Sequence, residues 1–308
     1  MAKRDLISIT DLTQDEIREI LDLADDMVQN PEKYYEECAH KKIATLFYEP
    51  STRTRLSFET AMLELGGNVI GFSSASSSSA SKGESVSDTA KVIECYADII
   101  AMRHPKEGAA LVAAKACNIP VINAGDGGHL HPTQTLADLF TIRKEFGSID
   151  NIKIGFCGDL KFGRTVHSLI EALLRFQGIE IVLISPEELK LPRYNKERMT
   201  EAGVPWSETT SLEDAISDLD VLYMTRVQQE RFFNEEDYIR LRDTYLLDRS
   251  KMKLAKEKMI VMHPLPRVNE ISVEIDDDPR AVYFKQVRNG KDVRKALITT
   301  MLRWKEEE

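Results

Sequence analysis

Short runs that are apolar throughout recur along this chain, each separated from the next by a segment of helical periodicity. No other feature constrains the fold as much. In the first half the pattern predicts strands near Ile43–Tyr48, Val69–Phe72, Ile99–Arg103 and Pro120–Ala124, with helices at Thr54–Leu65, Ser85–Tyr96 and Gly108–Cys117 between them. A strand that is apolar on both sides must be covered on both faces, so the arrangement implied is a parallel sheet between helices. An opening helix is signalled by Thr13 and Glu16 in capping-box spacing, with Ile17, Ile20, Leu21, Ala24 and Val28 expected inward. A long helical stretch, Pro132 to Phe146, ends at Gly147. The alternation then restarts, with strands near Lys153–Cys157, Ile181–Ile184, Val221–Met224 and Met259–Met262 and helices near Thr165–Phe176, Leu212–Ile216 and Lys251–Glu257. Arg288 to Glu308 reads as a closing helix with Val293, Leu297, Ile298 and Leu302 inward. The predicted class is α/β: two domains, each with a central parallel sheet flanked by helices, joined by interdomain helices. The expected boundaries are 1–135 together with the closing helix 288–308, an interdomain helix at 132–147, and 150–287. Ligands in such folds bind at the carboxyl ends of parallel strands, which puts the expected site in a cleft.

Composition narrows the classes. At 308 residues and 42% hydrophobic, the chain can build sizeable cores. With 41 basic against 51 acidic residues its net charge is −10, which argues against a general nucleic-acid binder. Arginines concentrated at a few points of an acidic chain therefore need a local reason. Cys38, Cys95, Cys117 and Cys157 are scattered with no C-x-x-C pair, as in a reducing compartment rather than in a disulfide framework or zinc site. Neither a signal region nor a run approaching about 18 apolar residues is seen, so the expectation is a cytoplasmic protein with no membrane partner.

The densest local signal is Glu49-Pro50-Ser51-Thr52-Arg53-Thr54-Arg55, at the junction of a strand and a helix. A helix start leaves backbone N–H groups unpaired, its dipole favours negative charge, and arginine forks match phosphate oxygens. An N-capped helix with a solvated basic turn is the plainer alternative, but positive charge there opposes the dipole. Downstream, Ser73 to Glu84 is a serine-rich stretch ending in Lys82-Gly83-Glu84. Its composition is that of a flexible linker, while its position between a strand and a helix suits a lid carrying a movable cation.

Polar groups gather at the other predicted strand ends. Arg103-His104-Pro105 follows the third strand, and Asn123 to Gln134 follows the fourth, with Pro132 setting His131 and Gln134 at a helix start. A histidine there can donate to a developing oxyanion. His129 with His131 could be read as a metal pair, but no cysteine or acidic cluster supports it, and neither His104 nor His129 acquires a role. In the second half, Gly155 to Arg164 superficially resembles a dinucleotide loop yet lacks the G-x-G-x-x-G spacing. It presents Arg164 at a helix start. Arg226 and Gln228 end another strand, and His263-Pro264-Leu265-Pro266-Arg267 a third, with prolines that leave carbonyls able to accept from a ligand amine. No Ser/His/Asp triad, paired-carboxylate motif or Walker loop is present. A phosphate site, carbonyl-oxygen donors and guanidinium groups suited to carboxylates together fit transfer of an activated acyl group from its phosphate to an amine, driven by positioning and electrostatics.

Ser51-Thr-Arg-Thr-Arg55, His131-Pro-Thr-Gln134 and His263-Pro-Leu-Pro266, in this order and spacing, resemble the carbamoyltransferase family over nearly the whole chain. The resemblance implies a carbamoyl-phosphate-binding domain followed by an amino-acid-binding domain. It also implies a homotrimer with sites shared between subunits and no cofactor or metal. By motif position, Ser51, Thr52, Arg53 and Thr54 would hold the phosphate and Arg103 would bridge phosphate and carbonyl oxygen. His131 would polarise the carbonyl, Gln134 would hold the carbamoyl amide, and the carbonyls of Pro264 and Leu265 would contact the amide end. Arg164, Arg226 and Gln228 match amino-acid-binding positions. Ser78 and Lys82 match loop residues given by a neighbouring subunit, with Ser78 one of several serines that could fill the place. Glu49 and Arg231 match positions that tie the domains on closure. Members acting on ornithine need a carboxylate for its amine and carry a cysteine where this chain has Pro264. Arg226 and Lys82 make L-aspartate the expected acceptor, in pyrimidine synthesis. A catalytically dead paralogue would have lost Arg53, His131 or Lys82, and all are present. The resemblance leaves open separate regulatory chains that would assemble trimers into a dodecamer.

Overall fold

A computed structural model describes residues 3–227 and 245–306. The chain divides into two compact units, Met1–Phe140 with Val287–Glu308, and Thr141–Gln286. It passes from one to the other inside two helices, Pro132–Phe146 and Tyr283–Glu306.

The first unit holds four parallel strands, β1 (Lys42–Phe47), β2 (Asn68–Phe72), β3 (Ile99–His104) and β4 (Val121–Asp126), in the order β2-β1-β3-β4. Consecutive residues Ile43 and Ala44 of β1 are both fully buried, as are Ile99 and Ile100 of β3, so the sheet is covered on both faces. On one face Ala44, Leu46, Ile100, Met102 and Val121 pack with Ala90 of α3 (Val86–Glu94) and Ala113 and Ala114 of α4 (Ala109–Ala116). Helix α1 (Gln14–Gln29) starts at the expected capping box: Thr13 accepts from the Glu16 amide, and Glu16 accepts from the Thr13 amide at 2.8 Å. Its inward residues are Ile17, Ile20, Leu21, Ala24 and Met27, and Val28 is exposed instead of buried. Each large apolar side chain so placed contributes about 1.5–3 kcal/mol. Helix α2 (Thr52–Glu64) buries Phe58, Ala61 and Met62 as expected.

The second unit holds β5 (Lys153–Cys157), β6 (Glu180–Ile184), β7 (Trp206–Thr209), β8 (Val221–Met224) and β9 (Ile260–Met262), parallel in the order β7-β6-β5-β8-β9. Two of its elements carry no apolar pattern in the sequence. The helix Arg193–Glu201 buries only Asn195 and Met199, and β7 is an edge strand whose Ser207 and Glu208 face water. The helix expected at Lys251–Glu257 is a single turn, Arg249–Met252, capped by Asp248. The closing helix begins at Tyr283, five residues before its expected start, and buries Val293, Leu297, Ile298 and Leu302. No helix among the described residues is long and apolar enough to cross a membrane.

Candidate active site

Because every strand of the first sheet runs the same way, the segments after β1, β2, β3 and β4 leave from one edge. That edge collects the polar motifs. Ser51 precedes α2, and its side chain makes no cap hydrogen bond. The first turn contains no acidic residue; Thr54 is buried, while Thr52 and Arg53 face solvent. Arg55, 3.8 Å from Glu59, is partly neutralised along the helix. Basic residues at a helix start cost about 0.3–1 kcal/mol each, and an anion there reverses the sign.

Arg103 lies opposite Phe47 in the β1–β3 register, and its carbonyl accepts from the Tyr48 amide at 2.9 Å. Its Nε donates to Glu49 Oε1 at 2.7 Å, and the guanidinium is largely buried. Burial lowers the Arg103 pKa from its ordinary value, and Glu49 opposes that shift. Glu49 thus orients Arg103 within its own unit.

Gly125, in β4, draws the next two groups together. At φ +118° a Cβ would stand 3.0 Å from Arg103 Nη1 and 3.4 Å from His131 Cδ2, so both side chains press on one backbone position. His131 is 5% exposed, with Nδ1 3.4 Å from Thr133 Oγ1. Gln134, half-buried in the first turn of α5 (Pro132–Phe146), donates from Nε2 to Asp138 Oδ1 at 2.8 Å. A buried carboxylate only accepts, which assigns the amide nitrogen to Asp138 and makes Oε1 the acceptor end of the side chain.

In the loop after β2, the residues form two tight helical turns, Ala75–Ser77 and Ser79–Lys82. Ser78 sits between them, half-buried, donating to the Ala75 carbonyl at 2.9 Å; Lys82 is exposed at the end. Of the two unassigned histidines, His104 is a packing residue: its ring lies 4.6 Å from that of Tyr48 and Nδ1 accepts from the Lys106 amide. His129 is half exposed, 3.5 Å from Asp126. Among the described residues no three His, Cys, Asp or Glu side chains gather as a metal site.

The second sheet repeats the logic. Arg164 opens α6 (Arg164–Leu173) behind Gly163, which offers no side-chain cap. Arg226 follows Thr225, whose hydroxyl donates to the Cys157 carbonyl at 3.2 Å, tying the ends of β5 and β8. After β9, Leu265 takes a left-handed φ of +55° and joins Pro266 by a cis bond. That backbone is held by a buried pair. His263 Nδ1 accepts from the Leu265 amide at 2.8 Å, so its proton is on Nε2, which donates to Glu270 Oε1 at 2.7 Å. Glu270 Oε2 accepts from the Val268 and Asn269 amides. Gln228 and Arg231 lie outside the described residues.

Burial holds His263 below the ordinary histidine range, against the opposing pull of Glu270; Arg226 also lowers it. Burial likewise lowers His104 and His167. For each, the unfolded chain takes up a proton below about pH 6.5 while the folded chain does not, so stability is lost as pH falls. The urea midpoint is expected to drop between pH 7.5 and 5.5, with a shallower drop in His263→Gln. An unchanged slope in that variant would show that His263 is not held neutral.

Gly125, Thr133, Asp138, His263 and Glu270 were not assigned roles from the sequence. The spacing of Gln134 and Asp138, four apart at a helix start, is the one local signal that could have flagged any of them.

Residues 4–144 match the carbamoyl-P binding domain of aspartate/ornithine carbamoyltransferases, and residues 150–301 match the Asp/Orn binding domain. The chain is 64% identical over 298 residues to the aspartate carbamoyltransferase catalytic subunit of Lachnoclostridium phytofermentans, covering 96% of this chain and 97% of that one. Among solved structures, the catalytic subunit of M. jannaschii aspartate transcarbamoylase is 49% identical with a TM-score of 0.92, covering 99% of this chain and 100% of that one. The Trypanosoma cruzi aspartate transcarbamoylase in complex with carbamoyl phosphate and aspartate is 38% identical with a TM-score of 0.91, covering 97% of each.

Proposed function

The chain belongs to the aspartate/ornithine carbamoyltransferase family, and from that premise we propose how its residues divide the work of the reaction. It transfers the carbamoyl group of carbamoyl phosphate to the α-amine of L-aspartate, giving N-carbamoyl-L-aspartate and phosphate for pyrimidine synthesis. The observation that carries the assignment of residues is the convergence of Arg103 and His131 on Gly125, at the sheet edge that also bears the bare start of α2.

On this reading the first unit holds the donor. The amides and hydroxyls at Ser51, Thr52 and Thr54 and the Arg53 guanidinium take the phosphate. Arg103, oriented by Glu49, spans a phosphate oxygen and the carbonyl oxygen. His131 donates to that carbonyl, and Gln134 Oε1 accepts from the carbamoyl amide. The second unit supplies the carbonyls of Pro264 and Leu265, which by motif position accept from the carbamoyl amide, and Arg164 and Arg226, which pair with the aspartate carboxylates. Gln228 joins them by motif position. The unprotonated α-amine attacks the carbonyl carbon, and negative charge grows on the carbonyl oxygen between Arg103 and His131. The C–O bond to phosphate then breaks, and the departing phosphate can take the amine proton. Charge is stabilised where it develops, by donors already in place.

The direct test is phosphate release from carbamoyl phosphate with aspartate or ornithine as acceptor. Turnover with aspartate alone is expected, and turnover with ornithine alone would overturn the reading. Arg226→Ala is expected to raise the aspartate KM by at least about tenfold, since a charge-assisted pair to a carboxylate is worth about 1.5–3 kcal/mol. Unchanged aspartate kinetics would remove Arg226 from the acceptor site.

The reading extends to a cytoplasmic homotrimer in which Lys82 and Ser78 serve the site of a neighbouring copy. The exposed position of Lys82 at the end of its turn supports this. Mixed trimers of Lys82→Ala and Arg53→Ala chains should then regain part of the activity each parent lacks; no recovery would mean the sites are not shared.

A further inference from the structure

The closing helix buries an arginine that the reaction does not call for. Arg294 is 4% exposed, in the first unit, on the face that also buries Val293 and Leu297. Its Nη1 donates to Ser57 Oγ at 3.0 Å and to the Gly290 carbonyl at 2.9 Å; its Nη2 donates to Thr133 Oγ1 at 3.2 Å. The guanidinium lies 5.2 Å from the Phe58 ring, and its buried Nε has no hydrogen-bond partner. Gly290 makes room for it, because a Cβ there would stand 2.8 Å from Nη1. A cation buried among small hydroxyls is costly, and an arginine kept so needs a use beyond packing.

We propose that Arg294 is a positioning residue that sets the tautomer of His131 through Thr133. The inference rests on the assignment of His131 as the donor to the carbamoyl oxygen. A guanidinium only donates, so its N–H occupies one of the two lone pairs of Thr133 Oγ1; the second could take an Nδ1–H, but only donation to Nδ1 gives the buried hydroxyl proton a partner. His131 Nδ1, 3.4 Å away, is the acceptor within reach. Accepting at Nδ1 puts the ring proton of the neutral imidazole on Nε2. That edge of the ring, bonded to Cδ2, is the one that meets Gly125 beside Arg103. The two ends of the imidazole therefore face different tasks: Nδ1 is read by Thr133, and Nε2–H is delivered on the Arg103 side. Arg294 also attracts Asp138, the carboxylate that orients Gln134, so one buried cation stands behind both groups assigned to the carbamoyl moiety. Burial lowers its pKa to about 10, which leaves it charged at neutral pH.

The experiment is long-range 1H–15N correlation of 15N-histidine-labelled enzyme at pH 8, with the His131 signals assigned by their loss in His131→Asn. The wild type should show the Nε2–H tautomer at His131. Thr133→Val, nearly isosteric, should shift it to Nδ1–H or a mixture. It should also lower kcat by about 10- to 100-fold with a much smaller change in carbamoyl-phosphate KM, as a wrong tautomer costs rate more than binding. Thr133→Ser should restore both, and Arg294→Met should repeat the valine result. Wild-type enzyme with the Nδ1–H form, or Thr133→Val or folded Arg294→Met retaining Nε2–H, overturns the proposal. If Arg294→Met does not fold, the threonine pair alone decides. Absence of carbamoyl transfer in the wild type would instead sink the functional reading, while the tautomer spectra would still report on the relay.

Discussion

Arg103→Ala is expected to lower kcat by about 100- to 1,000-fold, the usual cost of losing one preorganised donor to a developing oxyanion. The size of the effect follows from the surroundings of the guanidinium. Its Nε is committed to Glu49 at 2.7 Å, so rotation is blocked and its Nη groups are left aimed at the point where His131 also arrives. Few side chains could replace it. A lysine keeps the charge but cannot hold Glu49 and a ligand oxygen in one plane, so Arg103→Lys should remain at least about tenfold impaired. Removing the arginine also strands Glu49, whose side chain is 27% exposed; partial hydration should hold the stability loss near the lower end of about 1–3 kcal/mol. Steady-state kinetics beside urea unfolding separate the two effects. A kcat within threefold of wild type would remove Arg103 from the chemistry.

Gly125→Ala should come close to that loss without removing any functional group. The backbone at φ +118° is rarely adopted by residues with a side chain, and holding one there costs about 1–3 kcal/mol. The added methyl would also need the space 3.0 Å from Arg103 Nη1 and 3.4 Å from His131 Cδ2, so both side chains must give way together. Displacements approaching 1 Å in a reacting array cost about a hundredfold in rate, and a loss of that order in kcat is expected. Gly147→Ala is the control: its φ is +80°, and a Cβ there meets nothing within 4 Å. It should lose some thermal stability and keep its activity. Equal activity losses in the two variants would show that Gly125 matters only for folding.

Legibility in the sequence followed burial and chemical density. Strands β1, β3 and β5 are apolar on consecutive residues, and parallel pairing was readable from that alone. The helix Arg193–Glu201 went unseen because solvent covers nearly all of it, and helix formation there depends on docking by Asn195 and Met199. Val28 and Met27 exchanged places because a one-residue rotation of a helix face is within the tolerance of any periodic reading. Among site residues, the motifs assigned to ligand were conspicuous, since arginines and hydroxyls clustered at strand ends have few other uses. Glu270 and Arg294 were silent. Each is a charged residue in a helical or loop context that reads as surface, and nothing local says that it will be buried.

The chain's own order of residues determined the alternation of strand and helix, the parallel sheets and the content of the donor and acceptor motifs, because those depend on neighbours a few positions away. Only the tertiary structure decided how those motifs are aimed. Arg103 and His131, 28 residues apart, meet because β3 and β4 pair in parallel and Gly125 lacks a side chain. Arg294 reaches Thr133 across 161 residues because the closing helix returns to the first unit. Hydrogen-bond direction, tautomer and the burial of charge are properties of contacts in space, and a sequence read along its length contains the donors and acceptors without their partners.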